Sequence, residues 1–376
     1  MSMRAYTIRL YPTKMQEQDM IKHINACRYI WNWMIEQQES LYKENKKHLS
    51  AFDMIKLLTP LKNDGEHDWL YEVSNATLQI VCRDLRKCYE NVFNHKSNLP
   101  KFKTKKNAKL IFPVCPVRSW FEEDVVHIQK IGKIKYRADC KINTGRCGNK
   151  IFNPRIQNIC GKWILSFVRD DENQVSFLSD KNMGIDLGLK NFMTVAYGDE
   201  MIVFPNINKS KKIKDNEKKI KFLHRSIMRK YRASGFKKTK NIEKLEAKVK
   251  KIMRKNSNIR KNYIHQCTHK LILLSPSKII MENLNIRGMM KNHHLSKAIR
   301  DSCFYEAIRQ LKYKSSWNGI CFVQADRFFP SSKLCYNCGC IHKGLKLSDR
   351  TYVCPECGFT IDRDYQAALN LQRYGD

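Results

Sequence analysis

The sequence predicts an α/β chain of more than one domain, and three observations carry that expectation. Segments such as Tyr6-Thr7-Ile8-Arg9-Leu10-Tyr11 alternate as half-buried strands do. Other stretches repeat apolar residues at three- and four-residue steps, the period of a helix with one buried face. Cys335-x2-Cys338-x15-Cys354-x2-Cys357 has the spacing of a zinc ribbon. At 376 residues the chain has room for roughly two or three domains, each with its own core.

The elements follow in order. Pro12-Thr13 ends the first strand, and a helix is expected from about Met15, with Ile21, Ile24, Cys27, Trp31 and Met34 on one face. A second helix starts near Ser74, turning Leu78, Val81, Cys82, Leu85 and Tyr89 inward and Asn75, Gln79, Arg83 and Arg86 outward. Leu99 to Lys106 reads as a basic loop. Leu110 to Phe177 reads as short strands, including Ile128 to Tyr136 and Lys162 to Val168, so the N-terminal half is expected to be a β-barrel with a helical insertion. Gly184 to Gly188 and Phe192 to Tyr197 flank the turn Leu189-Lys190-Asn191, giving a hairpin with Asp186 in its first strand. Two antiparallel helices separated by Gly235 come next, then a strand in Leu271 to Glu282, a helix from Leu295 to Trp317, a strand at Ile320 to Gln324, the cysteine segment and a terminal helix from Arg363.

Charge points to the class of partner. Lys plus Arg number 70 against 36 acidic residues, a formal excess of 34, and a polyanion is the natural counterion for such a surface. Lys209 to Lys270 concentrates it, with 23 basic and four acidic residues. No apolar run reaches the ~18 residues of a membrane span. The first ten residues lack the apolar core of a signal peptide, and 15 cysteines in scattered apolar contexts do not suggest a disulfide framework, so a cytoplasmic setting is expected.

Three acids stand in separate, recognisable contexts: Asp186 in Gly184-Ile185-Asp186-Leu187-Gly188, Glu282 in Ile279-Ile280-Met281-Glu282-Asn283-Leu284, and Asp364 in Asp362-Arg363-Asp364. A carboxylate in a buried strand costs several kcal/mol unless a metal or cation accepts it. Two strand carboxylates and one at a helix start can converge on divalent cations, and Mg²⁺ suits all-oxygen ligands. Asp362 competes with Asp364 for the third role, and N-capping competes for Asp364 itself. Asp364 is preferred because it lies three and four residues before Ala367 and Ala368, on the face those alanines pack.

Gly-Ile-Asp-Leu-Gly-Leu-Lys-Asn-Phe, Met-Glu-Asn-Leu-Asn-Ile, Phe-Pro-Ser-Ser-Lys-x-Cys, Leu-Ser-Asp-Arg-Thr-Tyr and Ile-Asp-Arg-Asp together resemble TnpB, the transposon-encoded RNA-guided DNA endonuclease family related to type V CRISPR effectors. Arg9 to Thr13, Cys27-Arg28-Tyr29, Asn32-Trp33, Pro100-Lys101-Phe102 and Gly161-Lys162-Trp163 extend the resemblance to essentially the whole chain. It implies an N-terminal wedge β-barrel (1–14 and 107–178) with a helical recognition domain (15–106). An RNase H-like RuvC nuclease domain (179–330 and 359–376) follows, with an inserted zinc-ribbon target-nucleic-acid-binding module (331–358). Asp186, Glu282 and Asp364 take the catalytic, Mg²⁺-binding positions, and Cys335, Cys338, Cys354 and Cys357 take a structural Zn²⁺. A guide RNA derived from the transposon end and a double-stranded DNA target are the implied partners. One departure is visible: the family's Asn-Ala-Ala is Gln366-Ala367-Ala368 here.

Nucleic-acid contacts are expected from Asn75 and Gln79, whose amides can read base edges, and from Lys101, Lys103, Lys105 and Lys106 in the basic loop. Cys340 lies close to the knuckles but is spare, since Cys335 and Cys338 already have the standard spacing. Two competing readings use the same residues: a nuclease-inactive RNA-guided DNA-binding repressor, and a transposase or resolvase. Intact acids speak against the first; the N-terminal region and the zinc insertion speak against the second.

Overall fold

Alternation in the opening segment becomes strand β1 (Ser2–Tyr11), with Ile8 and Leu10 buried and Thr7, Arg9 and Tyr11 exposed. In this computed structural model, residues 2–106, 108–138, 151–171, 177–346 and 349–375 are described, and the chain divides into the units Met1–Glu172 and Asn173–Asp376. Parts of the expected strand region Leu110 to Phe177, and Leu347-Ser348 of one motif, lie outside the described residues.

In the first unit a capping box of Thr13 and Gln16 starts helix α1 (Lys14–Asn45), satisfying two amides that a helix N-terminus leaves unpaired. Its inner face holds Met20, Ile24, Cys27, Ile30, Trp31 and Met34; Ile21, expected in this stripe, is 49% exposed because Met20 takes the inward place. Short helices α2 (Ala51–Lys56) and α3 (Leu58–Lys62) lead to α4 (Asn75–Phe93), which buries Leu78, Val81, Cys82, Leu85 and Tyr89 as its spacing requires. Strands β2 (Ile111–Pro113), β3 (Ser119–Glu122), β4 (Val125–Ile128), β5 (Gly132–Arg137), β6 (Ile151–Ile159) and β7 (Lys162–Asp171) complete the unit. The expected strand Ile128 to Tyr136 holds from Gly132 onward as β5, but its first residues are the end of β4 and the turn between the two strands, where Lys130 and Gly132 adopt φ 66° and 89°. The seven strands pair antiparallel in the order β2-β6-β7-β1-β5-β4-β3, so among the described residues the pairing runs between two edges and does not close the expected barrel. Arg155 grips Asp84 with two bonds of 2.9 and 3.0 Å, fixing α4 to β6.

The second unit begins with β8 (Asn182–Leu187), β9 (Asn191–Tyr197) and β10 (Glu200–Pro205). Helices α5 (Lys211–Ala233) and α6 (Lys240–Leu273) reverse at Gly235, whose φ of 60° suits the turn, around a seam of Ile227, Ile242 and Val249. Inside that seam Asn216 donates to Asn256 at 2.7 Å, a buried polar pair that pins the register of the two helices. Strand β11 (Lys278–Met281) is shorter than expected, since α6 continues through Leu273. Short α7 (Ile286–Met289) follows. The expected helix Leu295 to Trp317 is two helices, α8 (His293–Ser302) and α9 (Phe304–Trp317), broken at Cys303, which takes a left-handed φ of 54°. Strand β12 (Cys321–Gln324), the hairpin β13 (Thr351–Val353) and β14 (Thr360–Asp362), and α10 (Arg363–Gln372) end the chain.

The sheet order is β10-β9-β8-β11-β12, with β8 antiparallel to β9 and parallel to β11, and β11 parallel to β12. One face, carrying Met183, Ile185, Ile279 and Met281, packs on Ile264, Cys267 and Leu271 of α6 and Phe304, Ala307 and Leu311 of α9. The other face belongs to α10: Ala196 meets Ala368 and Leu369, and Ile280 meets Leu371. Gly184 is on this face, and a Cβ there would come within 1.9 Å of the Ala368 carbonyl oxygen and 2.4 Å of the Gln372 nitrogen. No side chain fits without moving α10. Gly184→Ala is therefore expected to cost ~1–3 kcal/mol of local packing, seen as faster amide hydrogen exchange along Arg363–Gln372 with the first unit unaffected.

Candidate metal centres and nucleic-acid surface

Strand period and register bring the acids together. Ile185 pairs with Met281 across the parallel β8–β11 ladder, so Asp186 and Glu282 follow side by side. Alternation turns Asp186 to the face of Gly184, and Glu282 to that of Ile280. That is the α10 face, and α10 has Asp364 in its first turn. All three acids are half-buried. Burial is the largest cause holding the Asp186 carboxyl well above its ordinary range, and Glu282 and Asp364 add to it; Arg363 opposes them. The sign follows from linkage: the fold favours protonated Asp186, so stability at this site is present below the ordinary carboxylate pKa and is lost as pH rises through the raised value. A bound cation reverses that preference. The side chains of Arg363 and Asp364 approach to 3.6 Å.

Asp362 has a different task. It is the N-cap of α10, and its Oδ1 accepts from the amides of Asp364 and Tyr365 at 2.9 and 3.1 Å. Capping is thus done by Asp362, and the Asp364 carboxylate is left for other chemistry. Gln366 is fully buried, and its amide has no hydrogen bond of good geometry among the described residues, although the Tyr352 hydroxyl is a neighbour.

Sequence reasoning missed two side chains beside this site. The Ser331 hydroxyl donates to Glu282 Oε1, and Asn370 Nδ2 donates to the carbonyls of Ser331 and Leu334, both at 2.7 Å. Ser331 belongs to the Phe-Pro-Ser-Ser-Lys motif and was open to suspicion; Asn370 gave no signal, because its role depends on a turn brought to it by folding.

The four cysteines converge. Sγ atoms of Cys335, Cys338, Cys354 and Cys357 all lie within 4.8 Å of one another, with Cys335–Cys357 at 3.7 Å and Cys338–Cys354 at 3.5 Å. Four thiolates at about 2.3 Å from a tetrahedral zinc are separated by about 3.8 Å, so the site fits zinc and leaves no open position. Gly339 and Gly358 turn the two knuckles at φ 75° and 68°. Backbone amides of Cys357 and Glu356 help bring the Cys354 thiol down to about 6, toward the thiolate a metal requires. Cys340 stays outside the cluster; its carbonyl accepts from Cys335 N at 2.8 Å. Among the described residues this is the one group of three or more such side chains whose ligand atoms all lie that close, so the acidic trio is more open.

The residues expected to touch nucleic acid divide. Lys101, Lys105 and Lys106 are exposed, but Lys103 Nζ lies 3.2 Å over the Trp31 ring. Burial pushes the Lys103 amine down to about 8, so this lysine packs against α1 and is a poor phosphate ligand. Trp31 Nε1 donates to the Lys101 carbonyl at 3.1 Å, while Asn32 exchanges bonds of 2.8 and 3.0 Å with the Lys103 backbone, so the loop is held rigidly. The Asn75 amide oxygen accepts from buried Lys62 at 2.9 Å, which occupies the group expected to read a base. Gln79 is half-buried. On α5, Phe222, Arg225, Met228, Arg229 and Arg232 line an open cleft of about 640 Å³.

Comparison with known proteins agrees across the chain. The OrfB IS605 family model, described as "Probable transposase", matches residues 168–293, and a Cas12f1-like TNB domain model matches 304–371. A helix-turn-helix model of the OrfB IS605 series matches 1–47, where the structure has β1 and one long helix. A Streptomyces pristinaespiralis protein named by inference as an RNA-guided DNA endonuclease is 26% identical over 99% of this chain and 89% of its own length. InsQ of Escherichia coli K12, named likewise, is 27% identical over 99% and 92%. A "TnpB-like protein" of Acanthamoeba polyphaga mimivirus is 28% identical over 98% and 72%. Among solved structures, the mini-RNA-guided endonuclease CRISPR-Cas phi3 covers 99% of this chain and 92% of its own at 12% identity, with a TM-score of 0.48.

A metal-replete preparation is expected to hold one zinc per chain by elemental analysis. Replacing Cys354 and Cys357 together with Ser should remove it and raise amide exchange across residues 351–362, since the ribbon's fold and its metal are coupled.

Proposed function

The chain belongs to the TnpB family, and on that premise we propose that it is an RNA-guided DNA endonuclease cutting double-stranded target DNA beside a short flanking motif. The observation that carries the reading is the convergence of Asp186, Glu282 and Asp364 on one face of the second sheet, with Asp186 held in an environment that calls for a cation. We assign the second unit's sheet and helices to a RuvC nuclease domain of RNase H-like fold (179–330 and 359–376). Its three antiparallel strands followed by two parallel ones support that assignment. The first unit is read as the wedge (1–14 and 107–178) and the recognition helices (15–106), and 331–358 as the target-binding zinc ribbon.

In this reading Asp186, Glu282 and Asp364 hold Mg²⁺. When bound there, Mg²⁺ would supply an activated water and a Lewis acid for phosphodiester hydrolysis. Asp362 caps the start of α10, so the Asp364 side chain is not used as the cap. Guide and target, both polyanions, match the formal excess of 34 positive charges, much of it on α5 and α6. We place the guide RNA at the transposon end, and Gln79 on the side that meets the flanking motif.

Asp186→Ala, Glu282→Ala and Asp364→Ala are each expected to abolish cleavage of a matched plasmid while guided target binding persists in gel-shift assays. Asp362→Ala should retain cleavage and lose only the ~1 kcal/mol of a helix cap. Loss of cleavage in Asp362→Ala with retention in Asp364→Ala would reverse the assignment of the third ligand.

Neutralising Lys101, Lys105 and Lys106 together should flatten the salt dependence of RNA binding by about 0.7–0.9 in log–log slope for each phosphate that is no longer neutralised. Lys103→Gln should leave the slope alone and lower thermal stability.

A further inference from the structure

One turn, residues 330–334, touches all three parts of the second unit's chemistry. Amides of Lys333 and Leu334 close it by donating to the Pro330 carbonyl, each at 2.9 Å. On one side Ser331, 3% exposed, donates its hydroxyl to Glu282 Oε1 at the end of β11. On the second side the Ser331 and Leu334 carbonyls accept from Asn370, which is 5% exposed and lies on α10 less than two turns after Asp364. On the third, the next residue is Cys335, first of the four cysteines, whose amide donates to the Cys340 carbonyl at 2.8 Å.

A glutamate at the end of a strand has several rotatable bonds and would swing away from two neighbouring carboxylates. A hydroxyl donor takes one of its oxygens and leaves the second oxygen for a cation. The donor is itself immobilised by a buried amide from the helix that carries Asp364. We propose that Ser331 is a positioning residue that holds Glu282 in its ligating orientation and ties that orientation to the zinc ribbon and to α10. This rests on the reading of Asp186, Glu282 and Asp364 as a divalent-cation site.

The test uses the full chain, zinc-loaded and free of nucleic acid, titrated with Mn²⁺ by calorimetry as wild type, Ser331→Ala, Ser331→Thr and Asp186→Ala. Ser331→Ala should bind Mn²⁺ ~10–100-fold more weakly, the usual effect of removing a group that orients a metal ligand. Its zinc content and RNA affinity should equal wild type, added Mg²⁺ should restore its cleavage rate, and Ser331→Thr should recover Mn²⁺ binding through its retained hydroxyl. If Asp186→Ala loses Mn²⁺ and Ser331→Ala binds it as wild type does, the positioning role is wrong and the cation site stands. If neither variant changes the isotherm, both ideas fall. If Ser331→Ala loses zinc or RNA binding together with Mn²⁺, the residue merely supports the fold and the proposal is overturned.

Discussion

Asp186 sits on a strand flanked on both sides, by β9 and β11, with Glu282 as its neighbour across the ladder and Asp364 at the start of the helix above. Burial and the two like charges hold its proton on. A carboxyl held at such a cost in the middle of a sheet is the kind of position that functional sites use, and on the proposed reading a cation would offset that cost. The opposite face of the same strand is ordinary core, Met183 and Ile185 against α6 and α9, so the polar site is backed by a rigid apolar layer.

What makes the site possible is the close seating of α10. Gly184 lacks a Cβ that would collide with the helix backbone at Ala368 and Gln372, and the small Ala368 packs against Ala196 of the sheet. Asp362 caps the helix, so the carboxylate two residues later is not consumed by backbone amides. Asn370, farther along, reaches sideways to the turn that leads into the cysteine knuckles. One ten-residue helix therefore carries Asp364 in its first turn, covers the sheet face and anchors the segment that leads into the cysteine knuckles.

The positive charge is less uniform in purpose than its total implies. Lys103 is a packing residue stacked on Trp31, and Lys62 is buried beside Asn75. The α5–α6 hairpin, by contrast, keeps a narrow apolar seam and a buried asparagine pair inside while presenting its cations outward. Rigid elements that carry exposed charge can follow a phosphate backbone without the entropy cost of ordering a flexible tail.

Sequence alone was enough for features set by local chemistry. The knuckle spacing, the helical stripe on α4, the reversal at Gly235 and the hairpin around Leu189-Lys190-Asn191 each depend on residues close in the chain, and periodicity reports them directly. Breaks set by tertiary packing were not legible: Cys303 splits a continuous helical pattern, and β4 and β5 divide one apparent strand, because in each case the neighbouring elements decide where the chain must turn. The acids were recognisable from their contexts, but their convergence needed the parallel register of β8 on β11 and the placement of α10. Folding also decided which of Asp362 and Asp364 caps the helix, that Lys103 folds inward, and that Ser331 meets Glu282. Each depends on where a partner side chain or backbone amide comes to rest, and no local pattern encodes that approach.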